Sequence, residues 1–244
     1  MDGYRAKWHL PPLRSADDSF SERAQISQMP RELDYPRRNL PRTFHYVGPL
    51  RRPRPMPDQF PWERLDGRLL VYASLGTLQG SREPLFRCFA EACRDLDVQL
   101  VISHGGGLSS EQAGALPGRP LVVAYAPQGE LLARAGLAIC HAGLNTVLDA
   151  LANGVPLVMT PITYEQPAIA RRVEWIGAGR SLCLRDLTVA RLRTAIQDVL
   201  SQPELVGAAR YMREACTRAG GAGRAAEIVK ASLEDRKVPL VSRS

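Results

Sequence analysis

The residues best suited to chemistry gather in five short runs. The most telling is His141-Ala142-Gly143-Leu144-Asn145-Thr146, which follows an apolar stretch and opens a segment of helical spacing. A helix N-terminus presents unpaired N–H groups and partial positive charge. Gly143 lets a phosphate approach the backbone there. An imidazole, an amide and a hydroxyl add donors around the same oxygens. The run has the make-up of a diphosphate cradle. Asp149 lies four residues after Asn145, on about the same helix face, and its carboxylate can accept from ribose hydroxyls. The other runs are Ser74-Leu75-Gly76-Thr77, His104-Gly105-Gly106-Gly107, Tyr125-Ala126-Pro127-Gln128 and Tyr164-Glu165-Gln166. Plainer readings stay open. Asn and Thr cap helices, a histidine serves as a satisfied polar group, and three glycines make a turn. Neither the dinucleotide fingerprint G-x-G-x-x-G nor a P-loop occurs.

These runs need elements to hold them. Apolar stretches at 69–73, 98–102, 121–125, 137–140 and 155–159 read as buried strands, with a last one at 180–184. Helical spacing fits 84–96, 130–134, a segment ending near Asn153, 165–175, 187–200, 203–218 and 222–233. Strands alternating with helices, and apolar on both faces, indicate a parallel sheet covered on two sides. Ligands bind such sheets beyond the carboxyl ends of the strands, where all five runs fall. Before residue 67 the pattern differs. Ten of the 19 prolines lie within 1–61, so this stretch is not a regular core. Its clearest element is a short strand at 43–47, followed by an Arg/Pro linker at 49–66.

Composition excludes several classes. The chain has 244 residues, 45% hydrophobic and 23% charged, which are ordinary globular values. The net charge is +7 and the pI about 9.5. Only Lys7, Lys230 and Lys237 are lysines, and the arginines are scattered, so no basic patch with interleaved aromatics points to nucleic acid. Cys88, Cys93, Cys140, Cys183 and Cys216 have no metal-like spacing and read as free thiols. No apolar run approaches the ~18 residues of a membrane span, and the first residues lack a secretory signal's apolar core. The expected compartment is the cytoplasm.

Taken together, Tyr125-Ala126-Pro127-Gln128, His141-Ala142-Gly143 with Asn145, Thr146 and Asp149, and Glu165-Gln166 resemble the donor-binding signature of family 1 glycosyltransferases. Residues 71–77 resemble the first strand and loop of the same domain. The nearest likeness is to bacterial macrolide and zeaxanthin glycosyltransferases. It covers about 67–230, with a fainter match at 20–50. The resemblance implies an α/β chain of GT-B type: one doubly wound, Rossmann-like parallel sheet with an N-terminal remnant of a second domain. Residues 1–48 would be the remnant of the acceptor domain, 49–66 the linker, 67–230 the donor domain and 231–244 a tail.

By that resemblance Tyr125 stacks on the uracil where the family usually has Trp, and Gln128 meets the base or ribose edge. His141, Gly143, Asn145 and Thr146 hold the phosphates, with Thr77 and Ser74 close by. Asp149 takes the ribose hydroxyls where Glu is more usual. Glu165, where many members have Asp, and Gln166 take the sugar hydroxyls. The implied reaction is transfer of a hexose from a UDP-sugar, with UDP-glucose the expected donor, to a hydroxyl of a small lipophilic acceptor with inversion. No cofactor or metal is implied. The base that activates the acceptor belongs to the acceptor domain, and neither His9 nor His45 stands in its context, so no catalytic residue is assigned. The chain reads as the donor half of an enzyme, through truncation, a misplaced start or a separately encoded acceptor half. Two alternatives remain: a nucleotide-sugar binding module without turnover, and a nucleotide-sugar epimerase of related architecture.

Overall fold

The computed structural model describes residues 2–15, 17–51, 60–77 and 82–234. Its strands are β1 (Gln25–Ser27), β2 (Phe44–Tyr46), β3 (Leu69–Ser74), β4 (Val98–Ser103), β5 (Leu121–Val123), β6 (Ala135–Cys140), β7 (Leu157–Met159) and β8 (Gly179–Ser181). Its helices are α1 (Asp2–Lys7), α2 (Glu83–Cys93), α3 (Ser110–Gly114), α4 (Gln128–Leu132), α5 (Leu144–Ala152), α6 (Gln166–Trp175), α7 (Val189–Ser201), α8 (Pro203–Arg218) and α9 (Gly221–Glu234).

The six strands from β3 onward form one parallel sheet in the order β5-β4-β3-β6-β7-β8. Side chains alternate along a strand, so each strand feeds two cores. From β3, Leu70 and Tyr72 join the core under α4, α5, α6 and α8. Val71 and Ala73 join the opposite core, under α2 and α7. That double burial is why these strands read as unbroken apolar runs. The chain starts in the middle of the sheet at β3, winds out to β5, then returns to β6 and winds the other way. β3 and β6 pair directly, with Ser74 opposite Cys140. Crossovers leave to opposite sides there, which opens a crevice above the strand ends.

The six strands expected after residue 67 are present. Both β5 and β7 are shorter than their apolar runs, which leaves Tyr125 in a loop. The apolar pattern gives no sign of α1, α3 or β1. For α3 a local signal exists: Ser109 and Gln112 form a reciprocal capping box.

The expected strand at 43–47 is β2, paired in parallel with β1. Residues 25–48 pack on the larger body. Leu33 is fully buried in the α5–α6–α8 core, and Gly221 N–H donates to the Val47 carbonyl at 2.6 Å. A buried carboxylate ties this segment to α6. Asp34 accepts from Tyr46 Oη at 2.6 Å, Arg37 Nε at 2.8 Å and Arg172 Nε at 3.2 Å. Burial pushes the Asp34 carboxyl up, but the bonds from Tyr46, Arg172 and Arg37 outweigh it and hold the group below the usual range.

Of the linker expected at 49–66, residues 52–59 lie outside the described residues, as do 235–244 of the expected tail. Residues 231–234 continue α9. No helix among the described residues is long and apolar enough to cross a membrane.

Candidate functional site

The chemistry-bearing runs converge at the carboxyl ends of β3 to β7. His141 follows β6 directly, and its ring lies beside two glycine backbones. A Cβ placed on Gly143 would come within 2.4 Å of His141 Nε2, and one on Gly76 within 3.0 Å of Cε1. A third glycine completes the contact: at Gly105 the backbone is left-handed, and a Cβ would meet the Gly76 carbonyl at 2.8 Å. Glycines thus let the loops after β3, β4 and β6 approach one another closely. Ala142 pays for the turn with φ near +61, a conformation disfavoured for a side-chain-bearing residue.

Gly143 is the N-cap of α5, and no side chain caps it. The first N–H groups of α5 therefore point into the crevice without a side-chain acceptor. Burial lowers the His141 pKa, against the Ser74 backbone carbonyl and the Glu165 carboxylate, which raise it. The ring is neutral at neutral pH. Its Nδ1 is buried and makes no hydrogen bond among the described residues. Asn145 is exposed in the first turn of α5 and Thr146 is buried. Thr77 is exposed at the crevice edge, whereas Ser74 is buried and its Oγ accepts from Gly76 N–H at 3.2 Å. An uncapped helix end with a neutral imidazole and a hydroxyl can take phosphate oxygens.

Asp149 sits in the middle of a polar chain. Gln128 Nε2 donates to Asp149 Oδ2 at 2.6 Å, and Tyr72 Oη donates to Gln128 Oε1 at 3.3 Å. Arg51 Nε lies 3.2 Å from Asp149 Oδ1. Burial pushes the Asp149 carboxyl up, and Arg51 and Gln128 pull it back without cancelling the rise. Burial likewise pushes the Tyr72 phenol up to about 12, so it stays a donor. Tyr125 is 60% exposed and rests its hydroxyl on the Gly105 carbonyl at 3.3 Å, which leaves ring surface open to a planar ligand.

The loop after β7 behaves differently from a simple pair of sugar contacts. Glu165 is exposed at the N-cap of α6. Gln166 is buried, and its Oε1 accepts from the backbone N–H groups of Ile162 at 2.8 Å and Thr163 at 3.0 Å. Its oxygen shapes the loop, which leaves its two amide hydrogens for a ligand.

Two residues of the site were given no role by the sequence. Tyr72 is hidden in an apolar strand. Arg51 is one arginine among many in a Pro/Arg stretch, and only its pairing with Asp149 singles it out. His104 is committed elsewhere, since its Nδ1 accepts from Leu108 N–H at 3.0 Å. A cavity of about 380 Å³ lined by Arg180, Leu182, Arg191 and Asp198 lies on the β8–α7 side, away from the crevice. It shares no residue with the site, and the functional reading rests on the crevice.

Comparison with known proteins gives one answer. Residues 16–208 match the family described as UDP-glucoronosyl and UDP-glucosyl transferase. Zeaxanthin glucosyltransferase of Pseudescherichia vulneris is 40% identical over 230 residues, which is 93% of this chain and 54% of that protein. Demethyllactenocin mycarosyltransferase of Streptomyces fradiae is 35% identical over 206 residues, 84% of this chain and 44% of that protein. Among solved structures, the calicheamicin glycosyltransferase CalG4 superposes with a TM-score of 0.80 at 27% identity, covering 97% of this chain and 58% of that one. The expected GT-B-type α/β fold is therefore present. The chain spans about half the length of the curated relatives it matches.

Proposed function

The chain belongs to the UDP-glucoronosyl and UDP-glucosyl transferase family, and from that premise we propose that its crevice binds the nucleotide-sugar donor of a glycosyltransferase. The donor is a UDP-hexose, UDP-glucose first among them. Residues 67–230 hold it, 49–66 link it to the acceptor half, 1–48 derive from that half, and 231–244 form a tail. The observation that carries the reading is the His141 ring, held beside Gly76 and Gly143 at the uncapped start of α5.

In this reading the pyrimidine stacks on Tyr125 and the ribose hydroxyls meet Asp149 beside Gln128. The diphosphate takes His141, Asn145, Thr146 and the α5 N–H groups, with Gly143 admitting it to the backbone and Thr77 and Ser74 at its edge. The hexose reaches Glu165 and Gln166. An acceptor hydroxyl on a small lipophilic molecule attacks the anomeric carbon from the face opposite UDP and inverts it. Negative charge grows on the departing diphosphate. Donors already aimed at it stabilise that charge without reorganising, which lowers the barrier.

Binding without turnover is the second reading. His9 lies after α1 and His45 within β2, outside the loops that form the site; of the two histidines in those loops, His104 Nδ1 accepts from Leu108 N–H and His141 is assigned to the diphosphate, which leaves the acceptor base unassigned among the described residues.

Calorimetry with UDP tests the reading. Tyr125→Ala should weaken binding by about 1–3 kcal/mol, the usual worth of aromatic–base stacking. Unchanged affinity in Tyr125→Ala and in His141→Ala would remove the crevice as the donor site.

A further inference from the structure

Arg51 belongs to no recognisable motif, yet it reaches the centre of the polar chain. Its Nε lies 3.2 Å from Asp149 Oδ1, while Gln128 Nε2 holds Oδ2 at 2.6 Å. The Asp149 side chain is 14% exposed and the Arg51 side chain 46%. An ionised carboxylate offers about four lone-pair positions. With one donor on each oxygen, each keeps a position open. Two acceptors side by side, one per oxygen, match the two hydroxyls of a vicinal diol. A protonated carboxyl does not, because one of its oxygens turns donor.

We infer that Arg51 is a positioning residue for the donor: paired with Asp149 Oδ1, it fixes that carboxylate and keeps both its oxygens as acceptors for the ribose diol of a nucleoside diphosphate. The inference rests on reading Asp149 as the ribose contact. Among the described residues, the groups bearing on Asp149 are Arg51, Gln128 and Tyr72. Gln128 is neutral. Tyr72 reaches the carboxylate through Gln128 and stays protonated. Burial favours a proton on Asp149, so the cation opposing it is Arg51. Half-exposed, Arg51 can be changed without opening the core.

The experiment measures binding of UDP and 2′-deoxy-UDP to the full 244-residue chain by calorimetry across the mildly acidic to neutral range. The wild type should prefer UDP by about tenfold, the worth of one hydrogen bond to a charged group. Arg51→Ala should lose most of that preference while its affinity for 2′-deoxy-UDP changes much less. Its UDP binding should also fade at a higher pH than in the wild type, because Asp149 takes up a proton sooner. Arg51→Lys, which keeps the charge, should restore the pH profile. Thermal melts of both variants check that the fold persists.

Equal losses for the two nucleotides would overturn the inference, since Arg51 would then merely attract the diphosphate. Tighter UDP binding by Arg51→Ala would overturn it too, since Arg51 would then obstruct the site. A preference and pH profile that survive Arg51→Ala would remove Arg51 and leave Asp149 in place. A wild type with no preference for UDP would remove the ribose contact itself, and the inference with it.

Discussion

Gly143→Ala offers a demanding test, because one methyl group should disable the proposed phosphate cradle. The backbone at Gly143 has φ −62, which alanine adopts freely, so the effect is not conformational strain. It is contact. The added Cβ would stand 2.4 Å from His141 Nε2 and 2.7 Å from Cε1. Ordinary contact begins near 3.4 Å, so the ring must retreat by about 1 Å. The Gly76 backbone lies beside the same edge of the ring, where a Cβ would stand 3.0 Å from Cε1. The ring must therefore shift toward the β3 loop or leave its rotamer, or the start of α5 must give way. Overpacking of this kind costs about 1–3 kcal/mol. A displaced imidazole would also lose the proposed hydrogen bond to the diphosphate, about 1.5–3 kcal/mol, or roughly 10- to 100-fold in UDP affinity.

Calorimetry and urea unfolding read the two losses separately. The double variant is the sharper arm. Without the ring there is nothing to strike, so Gly143→Ala in a His141→Ala background should cost almost no further stability, and any further loss of affinity reads the phosphate's own approach to the Gly143 backbone. Contacting residues commonly couple by about 0.5–3 kcal/mol, and here the coupling should cancel nearly the whole stability penalty of Gly143→Ala. Stability losses that simply add, or a Gly143→Ala protein with wild-type stability and affinity, would refute the wedged-ring geometry.

Three further outcomes follow from the same structure. Glu165→Ala should weaken UDP-glucose binding and spare UDP, whereas Gln166→Ala should weaken both and lower the melting temperature, because Gln166 Oε1 anchors the Ile162 and Thr163 N–H groups; a Gln166→Ala protein of wild-type stability would contradict the anchoring role. Asp149 has a carboxyl raised by burial, so the stability it contributes is present below its unfolded pKa and lost as pH rises through the folded one. Asp149→Asn should therefore be at least as stable as the wild type at pH 7, with its advantage closing on acidification while UDP affinity falls; a less stable Asp149→Asn at pH 7 would reverse this sign. Asp34 is the opposite case, held below the usual range, so its contribution is complete above the unfolded pKa and lost as pH falls through the folded one. Asp34→Ala strands Arg172 and Tyr46 and should cost about 3–5 kcal/mol at neutral pH, a deficit that shrinks in acid; a deficit constant with pH would argue against an ionised Asp34.

Much of the fold was legible because the sheet is buried on both faces. Runs such as 69–73 and 137–140 are unbroken by charge for that reason, and they announce themselves in one dimension. The chemistry-bearing loops were legible because they interrupt those runs with residues a core does not tolerate. What one dimension does not carry is which side chains meet. The setting of His141 depends on Gly76, which in turn meets Gly105, both contributed by loops of other strands whose order β5-β4-β3-β6 no local pattern encodes. Gln166 read as a free amide until the turn at Ile162 and Thr163 folded onto its oxygen. Residues 25–48 read as a proline-broken fringe, yet they place Leu33 in the core and Asp34 against Arg172. Arg51 was one scattered arginine until the fold set it 3.2 Å from Asp149. Periodicity and residue type are properties of neighbours along the chain, and they determined the elements and the loops. Pairing of charges and closing of glycine contacts are properties of neighbours in space, and only the packed sheet decided them.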